Sequence, residues 1–373
     1  MTKTFLAVAM SAVVCFPALG QQTKLLTAEK HNEYGLVYSL PTTALQISVT
    51  ARRETRKAGP YQQYAKRFTG YSNVVTEDEV KWSITDISVE QIGVKGDSPQ
   101  YLMQLKAGAT TYIGVSADGF LLSINVAPEN PDFDIDGSID KVGKLISGGG
   151  NTDDYLKFVD MDFVSAQNSL KQAEMIASSL MEIRETKLDL KSGNSDNPPS
   201  DGRQLELMLK GLDEQEEALS RAFTGAVTIE EFSAEYIYIP EDEGEEILFR
   251  LSNFRGFTDY DDYSGSPVYI KTEIIQEGEM PQDVNGETKK FPKDGVVYGI
   301  PGTAKITIST DKERLYSAEL PFSQFGTTFG LSPSLFTDKK TPSYARFSPV
   351  TGAVVEIGTV SKTETRSEAL GEE

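Results

Sequence analysis

Histidine chemistry has almost nothing to work with here, because 373 residues contain one histidine, His31, in a polar segment. A Ser-His-Asp triad or a multi-histidine metal site therefore has too few parts, and His31 reads as an exposed histidine. Cysteine is equally scarce: the one thiol, Cys15, lies inside an apolar run near the N-terminus. Tryptophan is limited to Trp82, which reads as core. Beyond that first run no apolar stretch approaches the about 20 residues a helix needs to cross a bilayer. A porin-type barrel is argued against by a long helical pattern that would interrupt its strands. Positive charge is also short, with 36 Lys and Arg against 56 Asp and Glu and a net charge of −20. Neither nucleic acid nor an anionic membrane offers such a surface a counter-charge. Gly148-Gly149-Gly150 has neither the lysine nor the spacing of a phosphate loop.

The first residues read as an export signal: Lys3, the apolar run Phe5 to Phe16, then Pro17-Ala18-Leu19-Gly20 with small residues at the −3 and −1 positions. Cleavage after Gly20 removes one basic residue, no acidic one, and the thiol, so the mature chain is expected to have neither disulfides nor cysteine chemistry. A lipoprotein signal using Cys15 is disfavoured, since Ala12-Val13-Val14 puts a branched residue where a small one is wanted.

Two long amphipathic helices stand out between residues 163 and 225. Ala166, Leu170, Ala173, Ile176, Ala177, Leu180, Ile183 and Leu190 recur at three-then-four spacing, which places them on one face of a first helix over about 165–191. Gly193 suits a left-handed C-terminal cap. After Pro198-Pro199, Asp201 with Gln204 resembles a capping box for a second helix, whose apolar face is Leu205, Met208, Leu209, Leu212, Leu219, Ala222 and Phe223 and whose end is Gly225.

Elsewhere the pattern is β. Leu45, Ile47, Val49 and Ala51 alternate with polar residues; Ala58-Gly59-Pro60 leads into a short helix carrying Tyr61, Tyr64, Ala65 and Phe68. Trp82 to Ile84 and Ile87 to Val89 make a strand, and Ala117-Asp118-Gly119 joins Tyr112 to Val115 with Phe120 to Val126 as a hairpin. After Gly225 further strands are expected from Phe232 to Leu320, and a last hairpin spans Tyr344 to Ile357. The expected organisation is a signal peptide over 1–20, an N-terminal β-domain over 21–127, an acidic Gly/Pro/Asp-rich linker over 128–162, a helical hairpin over 163–225, a C-terminal β-domain over 226–360 and a disordered tail over 361–373. The fold class is thus mainly β, with two sandwich or open-barrel domains flanking two antiparallel helices.

Several strings together resemble a known family: Asn32-Glu33-Tyr34-Gly35, Tyr38-Ser39-Leu40-Pro41, Ala58-Gly59-Pro60-Tyr61, Leu207-Met208-Leu209, Ile300-Pro301-Gly302, Gln324-Phe325-Gly326 and Pro349-Val350-Thr351-Gly352. They are similar to secreted proteins of Bacteroides-type bacteria known as a domain of unknown function. The resemblance covers most of the mature chain. It implies export in a Gram-negative bacterium and a β, helical hairpin, β order, and it carries no activity, cofactor or catalytic residue.

Two acidic clusters are candidate sites. Asp132, Asp134, Asp136 and Asp140, with Gly137 at the sixth place, match the start of a calcium loop. Position 12, where a bidentate Glu should close the shell, is Gly143, so the acidic-linker reading is preferred and no cofactor is expected. Asp259, Asp261 and Asp262, interleaved with Tyr260 and Tyr263, carry the residue types of a glycan site or a glycosidase, in which rings stack on sugars and paired carboxyls act on the bond. A solvated loop is the simpler reading, and Tyr236 with Tyr238 reads as one strand face. The shortage of catalytic groups points to a non-enzymatic binding or scaffolding protein of the periplasm or cell envelope with a protein partner. The alternatives are a glycan-binding module and a carboxylate-based hydrolase.

Overall fold

The computed structural model describes residues 22–25, 35–104, 112–128, 143–195, 199–336 and 342–359. The expected signal peptide and tail, Cys15, His31 and the whole Asp132 to Asp140 cluster lie outside the described residues.

The chain is mainly β. Alternation of apolar and polar residues builds β3 (Thr42–Lys57), which pairs with β4 (Glu79–Val94) on one side and β9 (Ala226–Tyr238) on the other. Its buried face is Leu45, Ile47, Val49 and Ala51, as the alternation requires. The strand runs beyond the apolar stretch because its charges are matched: Arg52 lies opposite Glu231 and Arg53 opposite Glu230 on β9. The Arg53 guanidinium donates to Glu230 and sits 5.0 Å from the Phe232 ring, so a charged tail remains a good strand. Trp82 is core, with its ring 4.8 Å from Phe232.

The β3–β9 ladder corrects the expected separation into two β-domains. It runs from Leu45↔Tyr238 to Lys57↔Ala226 without a register shift, so strands before and after the helices share one sheet. Its far edge is β8 (Lys144–Ser147), a strand inside the stretch expected to be linker. A second shared sheet has the order β16-β15-β7-β6, formed by β6 (Ile113–Val115), β7 (Leu121–Ile124), β15 (Ser343–Phe347) and β16 (Val354–Thr359). The hairpin expected across Asp118-Gly119 is its β6–β7 pair, with Gly119 at φ 89°. A small third sheet joins β1 (Gln22–Leu25), β5 (Gln100–Gln104) and β2 (Leu36–Ser39).

The fourth sheet, β11-β10-β12-β13-β14, consists of β10 (Gly244–Ser252), β11 (Gly256–Thr258), β12 (Ser266–Gln276), β13 (Val296–Thr310) and β14 (Arg314–Leu331). Phe249, Val268, Ile270, Ile306, Ile308 and Phe322 of this sheet close over Leu45, Ile47 and Val49 of β3. The earlier part of β13, Val296 and Val297, instead packs with Tyr38, Tyr101, Met103, Ile124, Ala345 and Phe347. Thus β13 passes through both β-cores and ties them together.

The helical region starts with a short α1 (Ala65–Phe68) and α2 (Met161–Ser165), whose N-cap Asp160 accepts from the Phe163 N–H. The expected first helix begins later than its apolar spacing suggests. Asn168 caps α3 (Ser169–Ser192) by accepting from Leu170 N–H, so Ala166 falls in the break. Gly193 ends α3 in the left-handed region at φ 76°. Asp201 caps α4 (Gly202–Thr224), and Gln204 Oε1 accepts from the Ser200 N–H at 2.7 Å, one residue earlier than a standard capping box.

Among the described residues the two helices are gripped where α3 begins and α4 ends. Tyr61, Ala65, Tyr155 and Phe163 enclose Ala173, Ile176, Leu180, Leu219, Ala222 and Phe223. The Tyr61 N–H donates to Ala222 O at 2.9 Å and its hydroxyl to Gln172 Oε1 at 3.1 Å. Beyond this collar the helices cover mainly each other.

Candidate functional site

Two places merit attention, and four of the strings that carried the family resemblance, those at Leu40-Pro41, Ile300-Pro301-Gly302, Gln324-Phe325-Gly326 and Val350-Thr351, meet at one of them. Pro301 has no N–H to give the β13–β14 ladder, and the pairing jumps there, from Ile300↔Thr327 to Gly302↔Phe322. Ser323 to Gly326 bulge out opposite that single proline and turn toward β3. Thr43 receives them: its N–H donates to Ser323 Oγ at 3.0 Å, its hydroxyl donates to Val350 O at 3.0 Å, and its carbonyl accepts from Gln324 Nε2 at 2.9 Å. Gln324 Nε2 also donates to Pro240 O at 3.0 Å. A hollow of about 150 Å³ beside this junction is lined by hydroxyls and amides of Thr42, Ser98, Ser323, Gln324, Thr327 and Thr351. Among the described residues that line it, Tyr101 is titratable, and burial pushes its phenol above its ordinary value. The Thr43 bonds make the junction a backbone crossing that welds three sheets.

The second place is the far half of the α3–α4 pair. Arg184 donates to Glu216 at 2.7 Å and to the Tyr71 hydroxyl, and Lys187 reaches both Glu216 and Asp213. Residue numbers rise on α3 as they fall on α4, so the helices run antiparallel. The Lys187 ammonium and then the Arg184 guanidinium hold the Glu216 carboxyl below the ordinary glutamate range. Past this cluster the helices part around a groove of about 520 Å³ with an apolar floor of Leu190, Leu207, Met208 and Leu212, flanked by Thr186, Asp189, Asn194 and Gln215. Leu207 is 63% exposed there.

Two expected results follow from this geometry. A carboxyl whose folded-state pKa is depressed stabilises the fold fully above its ordinary value of 4.5, and that contribution is lost as pH falls through the lower folded value. Thermal melts of the wild type should therefore fall more steeply below about pH 4.5 than those of Glu216→Gln. At pH 7 the variant should be weaker by about 1 kcal/mol or less, as for a partly exposed pair. Gly211 lies mid-helix in the groove, where an added Cβ meets nothing within 4 Å. Since glycine costs a helix about 1 kcal/mol against alanine, Gly211→Ala should raise stability by about 0.5–1 kcal/mol in thermal denaturation.

The Asp/Tyr cluster forms the turn before β12. Asp262 accepts from Ser264 N–H at 2.9 Å and pairs with Arg255 at 3.3 Å, and the Ser264 contacts hold its carboxyl below the usual range. Asp259 and Asp261 are open to solvent. Sequence reasoning missed Arg250, which is buried beneath: its guanidinium donates to Tyr260 O at 2.8 Å and Gly265 O at 3.1 Å, and lies 4.9 Å from the Tyr263 ring. Tyr263 and Phe254 are 86% and 93% exposed. Tyr236 stacks on Phe249 at 4.8 Å, in line with a strand face. Among the described residues no group of three or more His, Cys, Asp and Glu is arranged for a metal ion, and no helix is long and apolar enough to cross a membrane.

No curated protein and no solved structure matches the chain. Residues 34–355 match the model of a domain of unknown function, DUF4831. That match includes every ladder and helix described above except β1 and the last residues of β16. By that match, which takes in both the sheet junction and the helical groove, the chain belongs to the DUF4831 family.

Proposed function

We propose that this chain is an exported, non-enzymatic binding or scaffolding protein of the cell envelope and that the far half of α3–α4 is its partner surface. The observation that carries the reading is the groove: an apolar floor on two helices that the collar and the Arg184–Tyr71 bond tie to the rest of the fold. Exposed apolar surface of this kind on an otherwise charged helix pair marks an interaction site. A photo-crosslinking residue at Leu207, compared with one at the exposed Lys312 turn, tests it in cells that express the chain. A discrete adduct recovered only from position 207, identified by mass spectrometry, is the expected result. The same products from both positions would defeat the reading.

A glycan-binding role is the second reading, favoured by Arg250 fixing a turn that carries the exposed Tyr260 and Tyr263. Exposed aromatic faces suit sugar stacking, and a glycan array that gave no signal would end it. A carboxylate-based hydrolase draws less support, because Asp262 is engaged by Ser264 and Arg255. For Asp132, Asp134, Asp136 and Asp140 the acidic-linker reading is kept, and heat on calorimetric titration with calcium would reverse it.

A further inference from the structure

The groove has a chemistry that selects its occupant. Resting on the reading of α3–α4 as a partner surface, we infer that the groove receives an amphipathic helix of a partner protein, with lysine or arginine on the flank that faces α3. Glu182, Glu185 and Asp189 are spaced three and four apart along α3, so they share one edge, and Asp189 lines the groove itself. None of the three enters an ion pair among the described residues. The bases that could neutralise them, Arg184 and Lys187, are turned to α4 and engaged by Glu216 and Asp213. The α4 rim is mixed, with Glu214 among Arg203 and Lys210. The α3 edge thus carries charge of one sign and the α4 edge carries both, which sets the orientation of an incoming charged helix.

Gly211 supplies the second observation. Among the described residues the fold gives no steric reason for it, since a Cβ there would meet nothing within 4 Å. A missing side chain on a helix facing an apolar groove leaves room for another backbone to approach closely. Leu207 and Met208 lie four and three residues before Gly211, so they flank it on one face of α4. A second copy of this chain is a poorer occupant, because two acidic α3 edges on chains of net charge −20 would face each other.

The test uses fluorescence anisotropy on the full chain with two labelled 18-residue helical peptides. Both carry leucine on one face; one has lysine and the other glutamate along a single flank. The lysine peptide is expected to bind at least tenfold more tightly than the glutamate peptide. Gly211→Leu, which keeps helix propensity and is verified as folded by circular dichroism, should weaken it at least tenfold. Glu182→Lys with Asp189→Lys should reverse the preference between peptides. Equal binding of both peptides, binding untouched by Gly211→Leu, or no binding would overturn the proposal. So would a dimer of the full chain that Gly211→Leu dissolves. If the position-207 adduct forms while neither peptide binds, the basic-helix occupant falls and the partner surface stands; if neither appears, both fall.

Discussion

Expressed alone, residues 21–127 should show no cooperative unfolding transition, and residues 226–360 should show none either. The reason lies in the two shared sheets. Without β9, one edge of β3 presents its N–H and C=O groups along its whole paired length, and such edges template aggregation. Without β10, β12 and β13, the fully buried Leu45, Ile47 and Val49 face water. Exposing three such side chains forfeits about 1.5–3 kcal/mol each, against a total stability of about 5–15 kcal/mol for a whole domain. The other fragment loses Tyr38, Tyr101, Met103 and Ile124 from around Val296 and Phe347. Calorimetry and the dispersion of amide NMR signals would read the outcome, and a sharp melt from either fragment would refute it. Co-expression of 21–195 with 199–373 is the control. That cut falls between α3 and α4 and leaves every ladder intact, so the pair should reassemble.

The contrast between those two cuts follows what a sequence can and cannot disclose. The helices were legible because their signals are local: apolar spacing, Asp201 with Gln204, and the glycines at 193 and 225 all lie within a few residues of what they determine. The β6–β7 hairpin was legible for the same reason through Asp118-Gly119. Pairing of β3 with β9 is decided by residues nearly two hundred positions apart, and nothing in either strand announces the partner. Only in hindsight does the Arg52-Arg53 pair answer Glu230-Glu231. The Lys144–Ser147 strand escaped because four residues in a Gly-rich stretch carry too little periodicity to register. At the groove, Gly211 was the available signal, a lone glycine inside a strong helical pattern. Its meaning needed the neighbouring helix. The strings around Pro301, Gln324 and Val350 were readable one by one, whereas their convergence on Thr43 belongs to the three-dimensional path alone.

That convergence makes Gly326→Val a substitution expected to do great harm at the junction. Opposite Pro301 the β14 chain folds inward, and the Gly326 Cα passes against β13 so closely that a Cβ would strike Ile300 O, with Pro301 Cα at 2.9 Å and the Ile300 carbonyl carbon at 3.0 Å. The obstructing atoms are backbone on every side, and Gly278 closes the same crossing through its own approach to Ile300 and its N–H bond to Phe325 O at 3.0 Å. No rotamer change relieves such a clash; β13 and β14 must move apart. Ser323 and Gln324 would then be drawn from Thr43, and their bonds at the weld between sheets would go with them. Overpacking of a well-packed site costs about 1–3 kcal/mol, and with a branched side chain against backbone the loss should reach about 3 kcal/mol or more. Chemical denaturation measures it, with Gly193→Ala as the comparison. Gly193 has φ 76° but open space around it, so alanine there meets only the backbone penalty of about 1 kcal/mol. Equal losses at the two positions would mean that the crossing is not close-packed, and the junction would then lose its standing as the weld between the sheets.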